Sequence, residues 1–309
     1  MISVNSVSLL PNDLGPVAVT IGKFDGIHLG HQALLAETLS LAEDHLLVPA
    51  VITFDRHPGA VLNPAGEVAP LIGPTQKNEL LEEAGIGVVI TLPFDEALAQ
   101  LSAKQFVEEV LIKGLSAKEV VVGSDFRFGA GQSGDIETLS ELGAELGFLV
   151  KVVESVEVDG KRVSTTLIRE LLSQGQVKEA AKLLGRLHST RGEVEHGLKI
   201  GRELGFPTAN ISRQAEGFLP KDGVYAGWLH DAHGERYPAA LSIGTNETIT
   251  EVPRLLEVHV LDRKDLDLYF QVVNIEYVDF IRPALKFAGV EELIVSINAD
   301  LDKIRVILG

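Results

Sequence analysis

The chain has 309 residues, 45% of them hydrophobic and 23% charged, the profile of an ordinary folded protein with room for one large or two medium domains. Its formal net charge of −17 argues against non-specific nucleic-acid binding, which needs a basic footprint, but leaves small anionic substrates open, because these meet only a local pocket. There is no cysteine, which excludes disulfides and thiolate metal sites.

No basic segment followed by an apolar core opens the chain, and no apolar run reaches the roughly 18–20 residues of a bilayer span. A cytoplasmic protein without membrane association is therefore expected. The run Val17-Ala18-Val19-Thr20-Ile21 reads as a strand. It leads into Gly22-Lys23-Phe24-Asp25-Gly26-Ile27-His28-Leu29-Gly30-His31 and then into Leu34, Leu35, Leu39 and Ala42 at helical spacing. A strand, a glycine-rich turn and a helix N-terminus form a natural phosphate site, because the first-turn N–H groups and the helix dipole attract an anion. His28 and His31 add donors for phosphoryl oxygens, and Gly30 leaves room for close approach. The same two histidines also suit zinc ligation or an ordinary turn.

Up to residue 153, Val/Ile-rich runs at 17–21, 48–54, 87–92, 119–122 and 148–153 alternate with helical patterns such as Leu101, Phe106, Val107, Val110 and Leu111. That alternation predicts a parallel sheet covered by helices, with ligands at the carboxyl ends of the strands. On that rim would lie the opening turn, Thr53-Phe54-Asp55-Arg56-His57-Pro58, and Gly123-Ser124-Asp125-Phe126-Arg127-Phe128-Gly129. Asp125 suits a ribose hydroxyl and Arg127 a phosphate, although each loop could be plain. Arg162 and Arg169 then flank the hydroxyls Ser164, Thr165 and Thr166 at the start of another helix. One of the first two hydroxyls suits an N-cap, and the group as a whole suits a polyphosphate.

A helix over Val177–Leu184 ends at Gly185, and beyond residue 188 the pattern changes. Runs at 191–196, 224–229, 237–243, 255–261 and 272–278 contain alternation, and 290–307 carries the stripe Val290, Leu293, Ile294, Ile297, Leu301 and Ile304. A small antiparallel barrel with a closing helix is expected, with a domain boundary near 186–190. Its loop Gly201-Arg202-Glu203-Leu204-Gly205-Phe206-Pro207-Thr208-Ala209-Asn210 offers a Thr hydroxyl and an Asn carbonyl, which suit Mg²⁺, or it is a plain hairpin loop. By spacing alone, Glu257 reads as part of a solvated strand face.

Together these motifs resemble the prokaryotic bifunctional riboflavin kinase/FAD synthetases, over nearly the whole chain and in family order. G-K-F-D-G-I-H-L-G-H at 22–31 is similar to the adenylyltransferase signature, and T-F-D-R-H-P, V-V-G-S-D-F-R-F-G and V-S-T-T-L-I-R to its later motifs. G-R-E-L-G-F-P-T-A-N at 201–210 resembles the ATP- and magnesium-binding motif of riboflavin kinases, followed by G-V-Y-A, S-I-G-T-N and E-V-H-V-L-D. H-x-G-H alone would leave other nucleotidyltransferases open; its pairing with P-T-A-N is specific.

The resemblance implies a Rossmann-like α/β nucleotidyltransferase domain over 1–186 and a riboflavin kinase barrel over 187–309. It implies two reactions: riboflavin and ATP give FMN and ADP, then FMN and ATP give FAD and pyrophosphate. For FAD formation it implies His28 and His31 as catalytic, with Gly22, Phe24, Gly30, Asp125, Arg162, Thr165, Thr166 and Arg169 on the nucleotide. For the kinase it implies Glu257 as the catalytic carboxylate. Gly201, Gly205, Pro207, Thr208, Asn210 and Arg282 would hold ATP and flavin, with Thr208 and Asn210 on Mg²⁺. The implied partners are riboflavin, FMN and ATP alone, with neither nucleic acid nor membrane, and homo-oligomer formation is left open.

The chain departs from the family pattern at Arg56 and Glu247 (usually Pro), Thr165 (often Ser), Phe270 (usually Gly) and Ala284 (often Glu). Phe270 is expected to matter most, as a large ring beside the flavin pocket. Two rival readings remain: a single-activity FAD synthetase with a flavin-binding or regulatory barrel, and a metal-dependent hydrolase using His28, His31 and His57.

Overall fold

The computed structural model describes residues 1–56, 69–197, 201, 204–244, 254–263 and 265–309. His57, Thr245, Asn246 and Glu247 lie outside the described residues. Contacts divide the chain into two compact units, Met1–Ala69 with Lys77–Val163, and Pro70–Gln76 with Ser164–Gly309.

The first unit holds β1 (Ile2–Val4), β2 (Val17–Ile21), α1 (Leu29–Asp44), β3 (Val48–Phe54), most of α2 (Pro74–Glu83), β4 (Val88–Leu92), α3 (Glu96–Gln100), α4 (Ala103–Phe106, continuing as a π-helix to Gly114), β5 (Ala117–Gly123), α5 (Ile136–Leu146) and β6 (Leu149–Val153). The six strands form one sheet in the order β1-β4-β3-β2-β5-β6, and every pairing is parallel. All five residues of β2 are buried, because helices cover both faces, and this is why the strand reads as an unbroken apolar run. The chain builds outward from β2 through β3 and β4, then returns to β2's other side with β5. The switch point of the sheet therefore falls between β2 and β5, where the carboxyl ends of the strands open a crevice. A short hairpin, β7 (Glu157–Val158) and β8 (Lys161–Arg162), follows β6.

The second unit begins with α6 (Thr165–Ser173) and α7 (Val177–Leu184). Ser164 caps α6 by accepting from the Leu167 N–H, and α7 ends at left-handed Gly185, as expected for a C-terminal glycine. The barrel strands are β9 (His188–Glu195), β10 (Ala209–Ile211), β11 (Gly223–His230), β12 (Arg236–Gly244), β13 (Leu255–Val260) and β14 (Val272–Pro283). They close in the order β10-β13-β12-β11-β14-β9, all antiparallel. Alternate residues such as Val194, Ile211, Leu256, Val258, Leu241 and Ile275 fill the interior. The closing helix α8 (Val290–Leu308) packs Leu301 and Ile304 against Ala226 and Leu261 on the barrel's outside. The parallel sheet, the antiparallel barrel and the closing helix are as expected. The sixth barrel strand, β10, is additional to the five anticipated runs.

Candidate functional site

In the first unit the residues after β2 form a tightly specified turn. Phe24 (φ 49°), Gly26 (φ 86°) and Ile27 (φ 39°) all take left-handed backbone, which costs a non-glycine residue about 1 kcal/mol or more. Burial of Phe24 and Ile27 offsets that cost, since neither is more than 3% exposed. The Gly22 N–H donates to the Ile52 carbonyl at 3.0 Å, and a Cβ at Gly22 would come within 3.1 Å of the Phe24 ring. Glycine at 22 thus lets Phe24 fold back beneath the turn.

His28 is the N-cap of α1: its Nδ1 accepts from the His31 N–H at 3.3 Å. The two imidazoles stack, with centroids 3.8 Å apart and planes 14° off parallel, and Phe24 lies 5.0 Å from the His31 ring. A Cβ at Gly30 would press to 3.2 Å from the His28 ring. The spacing H-x-G-H therefore has a packing reason: glycine between the histidines lets the first ring lie against the helix start. Both rings sit at the helix end where the first-turn N–H groups concentrate positive potential.

Across the switch point, Asp125 follows β5 and forms an ion pair with Arg162 of β8. The structure brings these two expected nucleotide residues together. Arg127 instead pairs with Asp135, the N-cap of α5, at 3.1 Å. Thr165, Thr166 and Arg169 lie on the first turns of α6, in the second unit, where Ser164 and not Thr165 supplies the cap.

In the second unit the P-T-A-N stretch leads into β10. Gly201 lies close under Phe206, where a Cβ would fall 2.5 Å from the Phe206 carbonyl, and Gly205 takes φ 91°. His259 donates through Nδ1 to the Pro207 carbonyl at 2.8 Å, fixing the start of the strand. Asn210 stands opposite Glu257 of β13 on one side and Glu195 of β9 on the other. Residues directly opposite in an antiparallel ladder project to the same face, so this row gathers an amide and two carboxylates on the barrel's outer surface. Burial pushes the Glu257 carboxyl above the ordinary glutamate range. A Cβ at Gly197 would fall 2.3 Å from Asn210 Nδ2, so glycine there leaves the amide its space.

Beside this row, Pro207, Thr208 and Ala209 line a cleft of about 60 Å³ with Val258, Arg263, Leu268 and Tyr269. Arg282, on β14, donates to Asp300 of α8. Phe270 has φ 61° and donates its N–H to the Val194 carbonyl at 2.9 Å, with its ring 67% exposed. The glycine usual at this position thus answers a left-handed turn.

Sequence reasoning missed Glu195, which emerges only from strand register, and His259, whose hydrogen bond to Pro207 joins residues 52 apart. Among the described residues no three His, Cys, Asp or Glu side chains group as metal ligands, and His28 commits Nδ1 to its cap.

Comparison with known proteins matches residues 10–167 to the FAD synthetase family and residues 184–308 to the riboflavin kinase family. The chain is 36% identical to the bifunctional riboflavin kinase/FMN adenylyltransferase of Haemophilus influenzae, over 92% of each chain. It is also 36% identical to that of Pseudomonas fluorescens, over 97% of this chain and 95% of the relative. The Escherichia coli K12 counterpart is 35% identical, over 91% and 90%. A crystal structure from Streptococcus pneumoniae, described as a macrolide-efflux protein, superposes with a TM-score of 0.88 at 32% identity, covering 98% of both chains. No described helix of the present chain is long and apolar enough to cross a membrane.

Proposed function

The chain belongs to the bifunctional riboflavin kinase/FMN adenylyltransferase family, and from that premise we propose how its two reactions divide between its residues. Residues 1–186 adenylylate FMN to FAD, and residues 187–309 phosphorylate riboflavin to FMN, both from ATP. The observation that supports this reading is the stacked His28–His31 pair at a helix N-terminus in the one part and the Asn210–Glu257 row on the barrel in the other.

In FAD formation the FMN phosphate is already an anionic nucleophile, so the site needs no general base. It has to align that phosphate with the α-phosphate of ATP and spread the developing charge. The His28 and His31 imidazoles and the N-terminal end of α1 serve that purpose, with Gly22, Phe24 and Gly30 shaping the turn. Asp125 takes the nucleoside end. Arg162, Thr165, Thr166 and Arg169 take the departing pyrophosphate, and Arg162 must leave its partner Asp125 at least in part to do so.

The kinase nucleophile is a ribityl hydroxyl, which is weakly acidic. Glu257 orients it and accepts its proton, and its raised pKa makes it a stronger base than an exposed glutamate. The hydroxyl of Thr208 and the carbonyl oxygen of Asn210 are hard oxygen donors of the kind Mg²⁺ takes, and the space left by Gly197 keeps the Asn210 amide unobstructed. When bound there, the ion would neutralise charge on the transferred phosphoryl group. Gly201, Gly205 and Pro207 shape the phosphate loop, and Arg282 lines the flavin side. Soluble substrates and the lack of a membrane-crossing helix among the described residues fit work in the cytoplasm.

The deciding experiment supplies purified protein with riboflavin, ATP and Mg²⁺ and separates the flavins by chromatography. FMN followed by FAD is expected. Absence of FMN would leave the barrel as a flavin-binding or regulatory module. Absence of FAD when FMN is supplied would remove the adenylyltransferase reading.

A further inference from the structure

One backbone carbonyl in the histidine-bearing turn collects two side-chain donors from other elements of the same unit. The Lys23 carbonyl accepts from Thr53 Oγ1, near the end of β3, at 3.0 Å, and from Lys77 Nζ, on α2, at 3.2 Å. Both lone pairs of that oxygen are thereby engaged, which fixes the plane of the Lys23–Phe24 peptide. Directly after it come the left-handed residues Phe24, Gly26 and Ile27, and then His28. A turn of this kind persists only where its surroundings over-determine it.

Charge reinforces the arrangement. Thr53 is fully buried and Asp25 is 2% exposed. Burial pushes the Lys77 ammonium below the ordinary lysine range, the Asp25 carboxylate favours its charged form, and the Lys23 ammonium opposes it. A half-buried lysine directed at a main-chain oxygen beside a buried carboxylate serves the turn itself.

We propose that Lys77 is a positioning residue for adenylyl transfer, holding the Lys23 carbonyl so that the turn presents His28 and His31 to the reacting phosphates. This rests on the adenylyl-transfer reading above. The barrel's own kinase activity, in the same polypeptide, supplies an internal standard for folding and concentration.

The test measures FAD formation from FMN and ATP, and FMN formation from riboflavin and ATP, for wild type, Lys77→Met, Lys77→Arg and Thr53→Val. Lys77→Met is expected to lower kcat for FAD formation at least tenfold, with KM for FMN and ATP within threefold and kinase activity within twofold of wild type. Lys77→Arg, which keeps a cationic donor, should recover most of the loss, and Thr53→Val should fall in between. An unchanged kcat in Lys77→Met overturns the proposal, as does a change confined to KM, or an equal loss in Lys77→Arg. Should Lys77→Met lose both activities, Thr53→Val decides: wild-type kcat there overturns the proposal. Wild-type protein that makes FMN but no FAD removes the adenylyl-transfer reading itself, a result distinct from every variant outcome.

Discussion

Arg282 Nε donates to Asp300 Oδ2 at 2.8 Å, joining the last barrel strand to the closing helix through side chains that are 17% and 7% exposed. Two charges this far out of water depend on each other: removing one strands the other, at a cost of about 3 kcal/mol or more. Asp300→Asn is therefore expected to destabilise the barrel by about that amount. The chain's single tryptophan, Trp228, lies in β11, so its fluorescence during urea unfolding reports on the barrel. The proposed flavin-side role of Arg282 adds that KM for riboflavin should rise in the folded variant, because Asp300 would no longer orient the guanidinium.

His188 gives the barrel a pH dependence of known sign. Burial holds its imidazole down to about 4, while its Nε2–H donates to the Phe218 carbonyl at 2.6 Å. In the unfolded chain the ring titrates near its ordinary value of about 6.5. Between those values the unfolded state binds the extra proton, so stability rises with pH across the window. The contribution is complete above about pH 6.5 and is lost progressively as pH falls toward 4, reaching on the order of 3 kcal/mol. Urea midpoints followed by Trp228 should fall between pH 7 and pH 5, by an amount corresponding to about 2 kcal/mol. His188→Gln, which does not titrate, should lose this part of the slope.

What the sequence made legible follows from burial. β2 and β3 are covered on both faces, and their apolar runs at 17–21 and 48–54 have the strand bounds found in the structure. β1, by contrast, has only three residues at the sheet edge, too few for any pattern. β10 is as short and sits inside a polar motif, so Asn210 reads as a loop residue until its pairing with Glu257 is seen. That pairing sets Glu257 beside the Asn210 amide, a juxtaposition that strand alternation alone does not reveal. β14 runs five residues past the alternating stretch, to Pro283, because its later residues are covered unevenly and its register shifts against β11. The His28–His31 turn was readable because its geometry is local. Asp300 and Lys77 were not, because their partners lie 18 and 54 residues away.

The capping role of His28 and its proposed chemical role can be separated by substitution. Asparagine is a good N-cap and can accept from the His31 N–H in place of Nδ1, so His28→Asn should keep α1 within about 0.5 kcal/mol of its wild-type stability. It lacks an imidazole to meet developing phosphoryl charge, so FAD formation should fall by about 10²–10³-fold. Riboflavin phosphorylation, measured in the same preparation, should stay at its wild-type rate. A fall in both activities would mean that the histidine serves the fold more than the chemistry.

Phe270 bears on the kinase half through its backbone. At φ 61° it sits where a Cβ is unfavourable by about 1 kcal/mol, and its ring is largely exposed, edge-on to His196 at 5.3 Å. Phe270→Gly removes the backbone strain and loses little packing, with the unfolded chain's greater freedom taking back part of the gain. The barrel should become more stable by up to about 1 kcal/mol, read from the Trp228 urea midpoint. Kinase KM values should stay within about twofold, since the ring is directed at His196 and solvent.

Glu257 offers the sharpest test of the kinase chemistry, because its environment and its role both predict a pH profile. Burial raises its pKa, so the carboxylate is lost at a higher pH than in an exposed glutamate. If Glu257 accepts the ribityl proton, kcat/KM for FMN formation must decline on the acid side with an apparent pKa above the ordinary 4.5. FAD formation from supplied FMN needs no base and should lack that limb. Glu257→Gln keeps the size of the side chain and removes the proton acceptor. It should lower FMN formation by about 10²–10⁴-fold and leave FAD formation from FMN unchanged. Residual activity in the variant should lose the acid limb. If the limb persisted, another group would be the base, and the Asn210–Glu257 row would serve to bind ATP and not to accept the proton.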